Sequence, residues 1–467
     1  MVSKSNRLLW WLGLLVLLSG IIYISASLLF YSLGGPHSEG NGFQLLGAMR
    51  MPTYADLRWV TATSDCGVDL DALYHGKAIG CDPFGRRGIG YPPMSIWLFR
   101  LFHFQAGWTD LLALFCGLAF LATSGFMLMK INKNTGVSML ISGLLLWGFP
   151  VQLALERMNI DVLVYILVAL NCYLLSSTSM PWRGLFSLAL ITATVGMKIY
   201  PIFGYIGLLF TAKPTTKRGF PNDRLGKFDA SIILIGCTIG ILTAAPILLG
   251  NDVLPAGSVS AAKGGIGSHG LKAFGFMNQK LIDLYGLEPA QIMIKALFLF
   301  KLLILGLGVA VTIFLQIAND VKHLINSHIN SNTRSFIYYL LIAMTCMWIG
   351  CYVTTISYDY RLIFLFPLIA ILAQLPALQM KTNFTKSAWT AMITAMAIIP
   401  GVLTTMSVAQ IPGFLNVFRG HVVLVEFIMF PVVAGSATAL MIQLLGITSF
   451  LSHLRPAPAP NQLDPHQ

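Results

Sequence analysis

The sequence predicts an all-α polytopic membrane protein with about twelve transmembrane helices, a large first extracytoplasmic loop and an interfacial helix. Three observations carry this. Of 467 residues, 56% are hydrophobic and 10% charged, with a mean hydropathy of +0.74, beyond the apolar content of ordinary water-soluble domains. Long uncharged runs recur along the chain, separated by polar connections. The runs lack the two-residue alternation of a membrane barrel, so helices must satisfy their backbone groups in hydrocarbon.

The first run, Leu8–Phe30, follows the basic Met1–Arg7. Small residues at Ser25–Ser27 give it a signal-peptide flavour, but a helix of about 20 residues spans a bilayer, and we read it as an uncleaved anchor. Further segments are expected at Trp108–Met129, Val137–Leu155, Ile160–Ser176, Gly184–Met197, Ile199–Thr211, Ala230–Leu249, Ile292–Ile317, Phe336–Thr355, Leu362–Leu378, Ala388–Val408 and His421–Leu445. Residues 1–452 form one integral membrane domain. Its two large extracytoplasmic loops are 34–107 and 251–291, and 453–467, rich in Pro and Ala, is a flexible cytoplasmic tail.

Orientation turns on "MKIYP". A single helix across Gly184–Thr211 would carry Lys198 at mid-bilayer, at about 2.5–3.5 kcal/mol on insertion scales, with Pro201 removing a donor beyond it. Two segments meeting at Lys198 avoid this. They also place the basic "KPTTKRGFPNDRLGK" on the side of the N-terminus, as the positive-inside rule requires. Both termini are then cytoplasmic.

The formal charge of +12 does not indicate nucleic acid, because the Lys and Arg are scattered through connections instead of gathered on one face. Anionic or phosphorylated lipids are the expected membrane partners. Among seven cysteines there is no CxxC and no Cys/His ligand spacing, so no metal site is assigned; an acidic turn at Asp65, Asp69 and Asp71 reads as solvated. Cys66 and Cys81 flank a polar loop and would bond in an oxidising compartment, the alternative being two unpaired thiols.

Five polar constellations fall on the predicted outer face, where ionisable groups at membrane depth are functional candidates. Asp56, in "ADLRWVT", could take a proton from a hydroxyl with Arg58 orienting it; a solvated loop salt bridge explains the same spacing. "GCDPFGRRGIGYPPM" turns the chain and delivers Tyr91 into "SIWLFRLFHF", the interfacial helix. "ERMNID" supplies Glu156, Asn159 and Asp161; Asn159 also suits helix capping. Lys198 with Tyr200 in "MKIYP", and Tyr358, Asp359 and Arg361 in "SYDYR", supply cations beside tyrosines. These are common interfacial anchors singly and a phosphate site together. Lys263, His269 and Lys272 in "AAKGGIGSHGLKAFGF" add donors, although this is not a Walker loop.

In this order, Asp56, "DPF" then "YPP", "ERMNID", "MKIYP" and "SYDYR", the sequence resembles glycosyltransferases of the GT-C superfamily, specifically family 87. The resemblance covers about the first 210 residues and the region Tyr358–Pro367. Met158 stands where relatives usually have glycine. The resemblance implies a GT-C-like fold in a bacterial inner or plasma membrane, with the active site extracytoplasmic. It implies metal-independent, inverting transfer, without a cofactor, of a mannose- or arabinofuranose-type sugar. The donor would be a polyprenyl-phosphate sugar and the acceptor a glycan or glycolipid hydroxyl. Asp56 would be the general base; Arg361 and Lys198, with Lys263 or His269, would hold the leaving phosphate.

Two other readings stand beside it. A secondary transporter suits twelve spans, a broken helix at Lys198 and the intramembrane Lys295 and Lys301, but predicts short loops on both faces. A polysaccharide polymerase or ligase using a lipid-linked glycan would place its key cations in a late loop such as Asn251–Gln291.

Overall fold

In the computed structural model, residues 4–32, 54–66, 81, 91–131, 135–177, 180–211, 226–249, 268–269, 281–282, 284–329, 331–354, 357–380, 382–408 and 424–446 are described. The protein is all-α and built for a membrane. Six of the twelve expected segments are, among the described residues, helices long and apolar enough to cross a bilayer: Leu8–Phe30, Ala106–Ile131, Lys227–Ala244, Leu287–Phe314, Thr333–Thr354 and Phe427–Leu444. Large apolar side chains such as Leu8, Leu15, Ile292, Leu303 and Phe314 cover the outside of the first and fourth of these. That is the surface lipid requires and water would punish.

In chain order the helices that position the site are α1 (Lys4–Ser32), α2 (Ala55–Asp65), α3 (Pro93–Leu101), α4 (Thr109–Ile131), α5 (Thr135–Trp147), α6 (Phe149–Arg157), α7 (Ile160–Ser176), α8 (Arg183–Met197), α9 (Pro201–Thr211), α10 (Lys227–Leu249), α11 (Leu287–Phe314), α12 (Ile317–His328) and α13 (Ser331–Thr354). A 3-10 segment, Asp359–Leu365, leads into α14 (Phe366–Leu372), α15 (Leu375–Gln379) and α16 (Phe384–Val408), and a π-helical stretch, Val425–Met429, opens α17 (Phe430–Leu444). α13 is the axis of the packing. Ile337, Leu341, Met344, Met347, Trp348 and Tyr352 on it are fully buried, and it packs against α7, α9, α17 and the 3-10 segment.

Three segments differ in detail from the expectation. Val137–Leu155, read as one span, is two helices bent by 52°. Gly148 between them is extended (φ −65°, ψ 139°) and Pro150 sits in the first turn of α6, where its missing donor is harmless but a continuous helix is prevented. Leu362–Leu378, also read as a span, is a chain of short helices with Ile363, Phe364, Leu365 and Ile371 fully buried. Hydropathy measures preference for leaving water, and this segment leaves it for protein instead of lipid. The first loop contains a helix not anticipated from the sequence, α2, with Asp56 in its first turn.

The division at Lys198 is as expected: α8 ends at Met197, Lys198 is extended (φ −149°, ψ 133°) and α9 begins at Pro201. Thr194 and Tyr205 hydroxyls, 2.9 Å apart, tie the two half-length helices together below the break. The interfacial helix is α3, shorter than expected, with Ser95, Ile96 and Phe99 buried beneath it and Trp97 and Leu101 outside. The tail 453–467 and most of loops 34–107 and 251–291 lie outside the described residues.

α1 packs closely on α5. A side chain at Gly143 would place its Cβ 2.7 Å from the Leu17 nitrogen and Val16 Cγ1, whereas at Gly125, on α4, there is open space. Gly143→Leu is therefore expected to lower stability by about 1–3 kcal/mol through overpacking, while Gly125→Leu leaves the thermal midpoint unchanged. Parallel melts in nanodiscs distinguish the two.

Candidate functional site

The site begins with a carboxylate that never reaches solvent. Asp161 lies in the first turn of α7, where the helix dipole favours an anion, and Asn159 caps that helix by accepting the Asp161 backbone N–H at 3.0 Å. Asp161 is 0% exposed. Lys198 Nζ stands 3.5 Å from its Oδ1 and Arg361 Nε 3.3 Å from its Oδ2. One buried anion thus gathers cations from the α8–α9 break and from the 3-10 segment. Aromatic rings complete the setting: Lys198 Nζ lies 4.4 Å from the centre of Tyr91 and the Arg361 guanidinium 5.1 Å from that of Tyr200, contacts that favour a cation most where water is scarce. Tyr200 also stands beside Asp161, and Tyr91 packs on Trp59 of α2, 5.3 Å between centroids.

Asp56 joins the same assembly from α2. Arg157, the last residue of α6, grips it with both arms of its fork, Nε to Oδ2 at 3.0 Å and Nη2 to Oδ1 at 2.6 Å, and Asn159 donates its amide to Oδ2 at 2.5 Å. Asn159 therefore bridges the two carboxylates, holding Asp56 with its amide nitrogen while its oxygen caps the helix of Asp161. Lys198 lies within electrostatic range of Asp56 as well as of Asp161 and Arg361. Three cations and two carboxylates from five separate segments share one locus.

The backbone around Asp56 is strained on both sides. Tyr54 (φ 59°) and Met158 (φ 43°) adopt the left-handed conformation that non-glycine residues disfavour. The Tyr54 N–H donates to the Glu156 carbonyl at 2.7 Å, so the strain closes a direct link between the entry to α2 and the end of α6. The positive φ at Met158 is the physical reason a glycine would be at home there.

The opposite end of α2 is fastened four ways. Arg100 of α3 donates to the carbonyls of Ser64 (3.2 Å) and Cys66 (2.7 Å). Ser64 donates to the Phe104 carbonyl at 2.7 Å and the Thr61 and Thr109 hydroxyls meet at 2.6 Å. Cys66, the residue capping α2, is disulfide-bonded to Cys81. The pairing expected of these two cysteines is present.

Several assignments change. Arg58 does not orient Asp56: its guanidinium pairs with Asp110 of α4 at 2.9 Å, pointing into the α2–α4 junction. The arginine on Asp56 is Arg157, which sequence reading passed over because a basic residue at a helix end has a ready explanation in the dipole. The signal was a second arginine, within "ERMNID", expected on the same face as Asp56. Asp161, expected among the substrate contacts, is buried and is ion-paired to Lys198 and Arg361. Glu156 is buried beside them. Lys295 is exposed on α11, and Lys301, fully buried, stands 4.7 Å from the centre of Phe427 in the π-helical stretch.

A two-residue antiparallel pairing, β1 (Ser268–His269) with β2 (Ser357–Tyr358), was not foreseen; it sets Ser268 opposite Tyr358 and His269 opposite Ser357. It fastens the backbone of the second large loop to the strand entering Asp359 and Arg361. Lys263, Lys272, Asp69 and Asp71 lie outside the described residues. Comparison with protein-family models, with curated proteins and with solved structures returned no match.

Two outcomes follow. Asp161→Asn leaves Lys198 and Arg361 facing a neutral partner and is expected to lower stability by about 3–5 kcal/mol; adding Lys198→Met restores part of the loss, measured by unfolding in nanodiscs. Reducing the disulfide, which closes a separation of 15 residues, is expected to cost about 3 kcal/mol on the chain-entropy account. Alkylation of unreduced protein followed by mass spectrometry should show Cys66 and Cys81 protected.

Proposed function

We propose that this chain is an integral membrane glycosyltransferase, similar to family 87 of the GT-C superfamily. It would move a sugar of mannose or arabinofuranose type from a polyprenyl-phosphate donor to a hydroxyl of a glycan or glycolipid. The observation carrying the reading is the convergence of Asp56, Lys198 and Arg361 on one locus from segments more than a hundred residues apart. A candidate base and two cations fixed by a buried anion are what phosphate-leaving group transfer needs. The disulfide supports an oxidising, extracytoplasmic side for the site, with both termini cytoplasmic.

In this mechanism the donor phosphate sits on Lys198 and Arg361. The acceptor oxygen forms a bond to the anomeric carbon from the face opposite the phosphate. The bond between that carbon and the phosphate oxygen breaks, its electron pair leaving with the phosphate, and the acceptor proton passes to Asp56. The phosphate departs as a stabilised anion, so no acid is needed. Cations already fixed where charge grows contribute most to the rate, since little reorganisation is required; proton transfer adds about 10²–10⁴-fold. Asp161 serves the reaction by keeping Lys198 and Arg361 extended in a low-dielectric setting where unanchored cations would retreat to water.

Purified protein with radiolabelled polyprenyl-phosphate mannose or arabinofuranose and membrane glycolipid should transfer label. Asp56→Asn should lower turnover at least about 10²-fold without weakening donor binding; full activity in that variant would remove Asp56 from the mechanism. Arg361→Ala should weaken donor binding about 10–100-fold, the worth of one charge-assisted contact, and unchanged affinity would refute its phosphate role. The buried Lys301 and the interrupted helices are the features that favour a transporter instead. Substrate-dependent flux in proteoliposomes without chemical turnover would establish that reading.

A further inference from the structure

As it stands, Asp56 is occupied. Both its oxygens are engaged by the Arg157 fork, and Oδ2 also accepts from Asn159. An acceptor hydroxyl arriving at this arrangement would find each carboxylate oxygen already holding an arm of the Arg157 fork.

We infer that Arg157 is a displaceable latch on Asp56, which a donor phosphate releases by drawing the guanidinium onto itself. The inference rests on the phosphate-donor reading above and assigns a role to a residue that reading does not use. Four observations support it. The fork that fits a carboxylate fits a phosphate equally, and phosphate carries more charge. Arg157 is the more accessible partner, its side chain 20% exposed against 10% for Asp56. It is the last residue of α6, followed by the left-handed Met158, so its side chain can swing from a helix end while the helix stays in place. Finally, Lys198 is within electrostatic range of Asp56, which puts a phosphate held by Lys198 within range of the guanidinium on Asp56.

Asn159 makes the exchange useful. It is fixed as the cap of α7 and holds Oδ2 through a neutral amide, so it keeps Asp56 oriented after Arg157 leaves. Orientation and restraint of the base are thus divided between a fixed residue and a mobile one. The latch makes the reaction ordered: the base is released only after the donor is in place.

The test uses full-length protein in nanodiscs and farnesyl phosphate, a short polyprenyl phosphate without sugar, with affinity measured by calorimetry. Asp56 and the phosphate compete for Arg157 in the wild type, so Asp56→Asn should bind the probe about tenfold more tightly, a change worth about 1.4 kcal/mol. Arg157→Gln should bind it about tenfold more weakly, and the gain from Asp56→Asn should vanish when Arg157→Gln is already present. An Asp56→Asn affinity equal to or below wild type overturns the latch. So does a gain that persists in the double variant, since that would reflect only the loss of a nearby negative charge. Asp56→Asn preserves shape, and its melting curve certifies folding if Arg157→Gln proves unstable. Arg157→Lys, which keeps the charge but loses the fork, then replaces it. If folded wild type binds no farnesyl phosphate, the phosphate-donor reading fails and the latch with it; if wild type binds while Asp56→Asn gains nothing, the latch alone fails.

Discussion

The ion cluster around Asp161 governs the local architecture of this protein. A carboxylate without solvent exposure is tolerated only if cations and hydrogen bonds replace its hydration, and here they come from distant segments: Lys198 and Arg361 on its oxygens, the Asn159 cap beside it. Each cation in turn dictates backbone. Lys198 can reach the carboxylate because α8 stops short and the chain is extended before Pro201. Arg361 can reach it because the segment from Asp359 to Leu365 is a tight 3-10 stretch lying against α6 and α13 instead of a membrane-crossing helix. Irregular backbone at membrane depth survives where it is enclosed in protein, and the cluster is what encloses it.

A second constraint concerns α2. This short helix has little apolar surface of its own, yet it carries Asp56 with both ends fixed. At its N-terminus the left-handed Tyr54 bonds to Glu156; at its C-terminus Arg100 holds it to α3 and the disulfide ties Cys66 to Cys81. Strain at Tyr54 and Met158 is sustained because the surrounding contacts leave no relaxed alternative, a pattern that concentrates where geometry matters for function. Together α2, the end of α6 and the cap of α7 form a rigid corner into which the cations project.

The legibility of the sequence was uneven, for identifiable reasons. Ile160–Ser176 could be bounded from its run and its Asn159 cap because both signals are local. The break at Lys198 was readable because lysine and proline are expensive in the same place. That Leu362–Leu378 is not one continuous helix is hidden because an apolar window does not say whether protein or lipid surrounds it. The bend inside Val137–Leu155 is hidden because Gly148 and Pro150 interrupt a helix without adding charge. α2 was missed because its burial comes from neighbours, not from its own hydropathy. In the site, residue types near the surface were recoverable but partnerships were not: Arg58, two residues from Asp56, turns to Asp110, while Arg157, a hundred residues on, takes the carboxylate.

The amino-acid sequence by itself determined that this chain belongs in a membrane, that it is helical, and which polar groups sit at the ends of its apolar runs. These follow from the cost of exposing peptide groups and charges to hydrocarbon, a cost summed residue by residue along the chain. Tertiary structure alone decided which apolar runs face protein, which cation meets which anion, and that Asp56 rests in the grip of Arg157. Those choices depend on the distances between side chains far apart in sequence, and Coulomb attraction in a low-dielectric interior responds to distance in space.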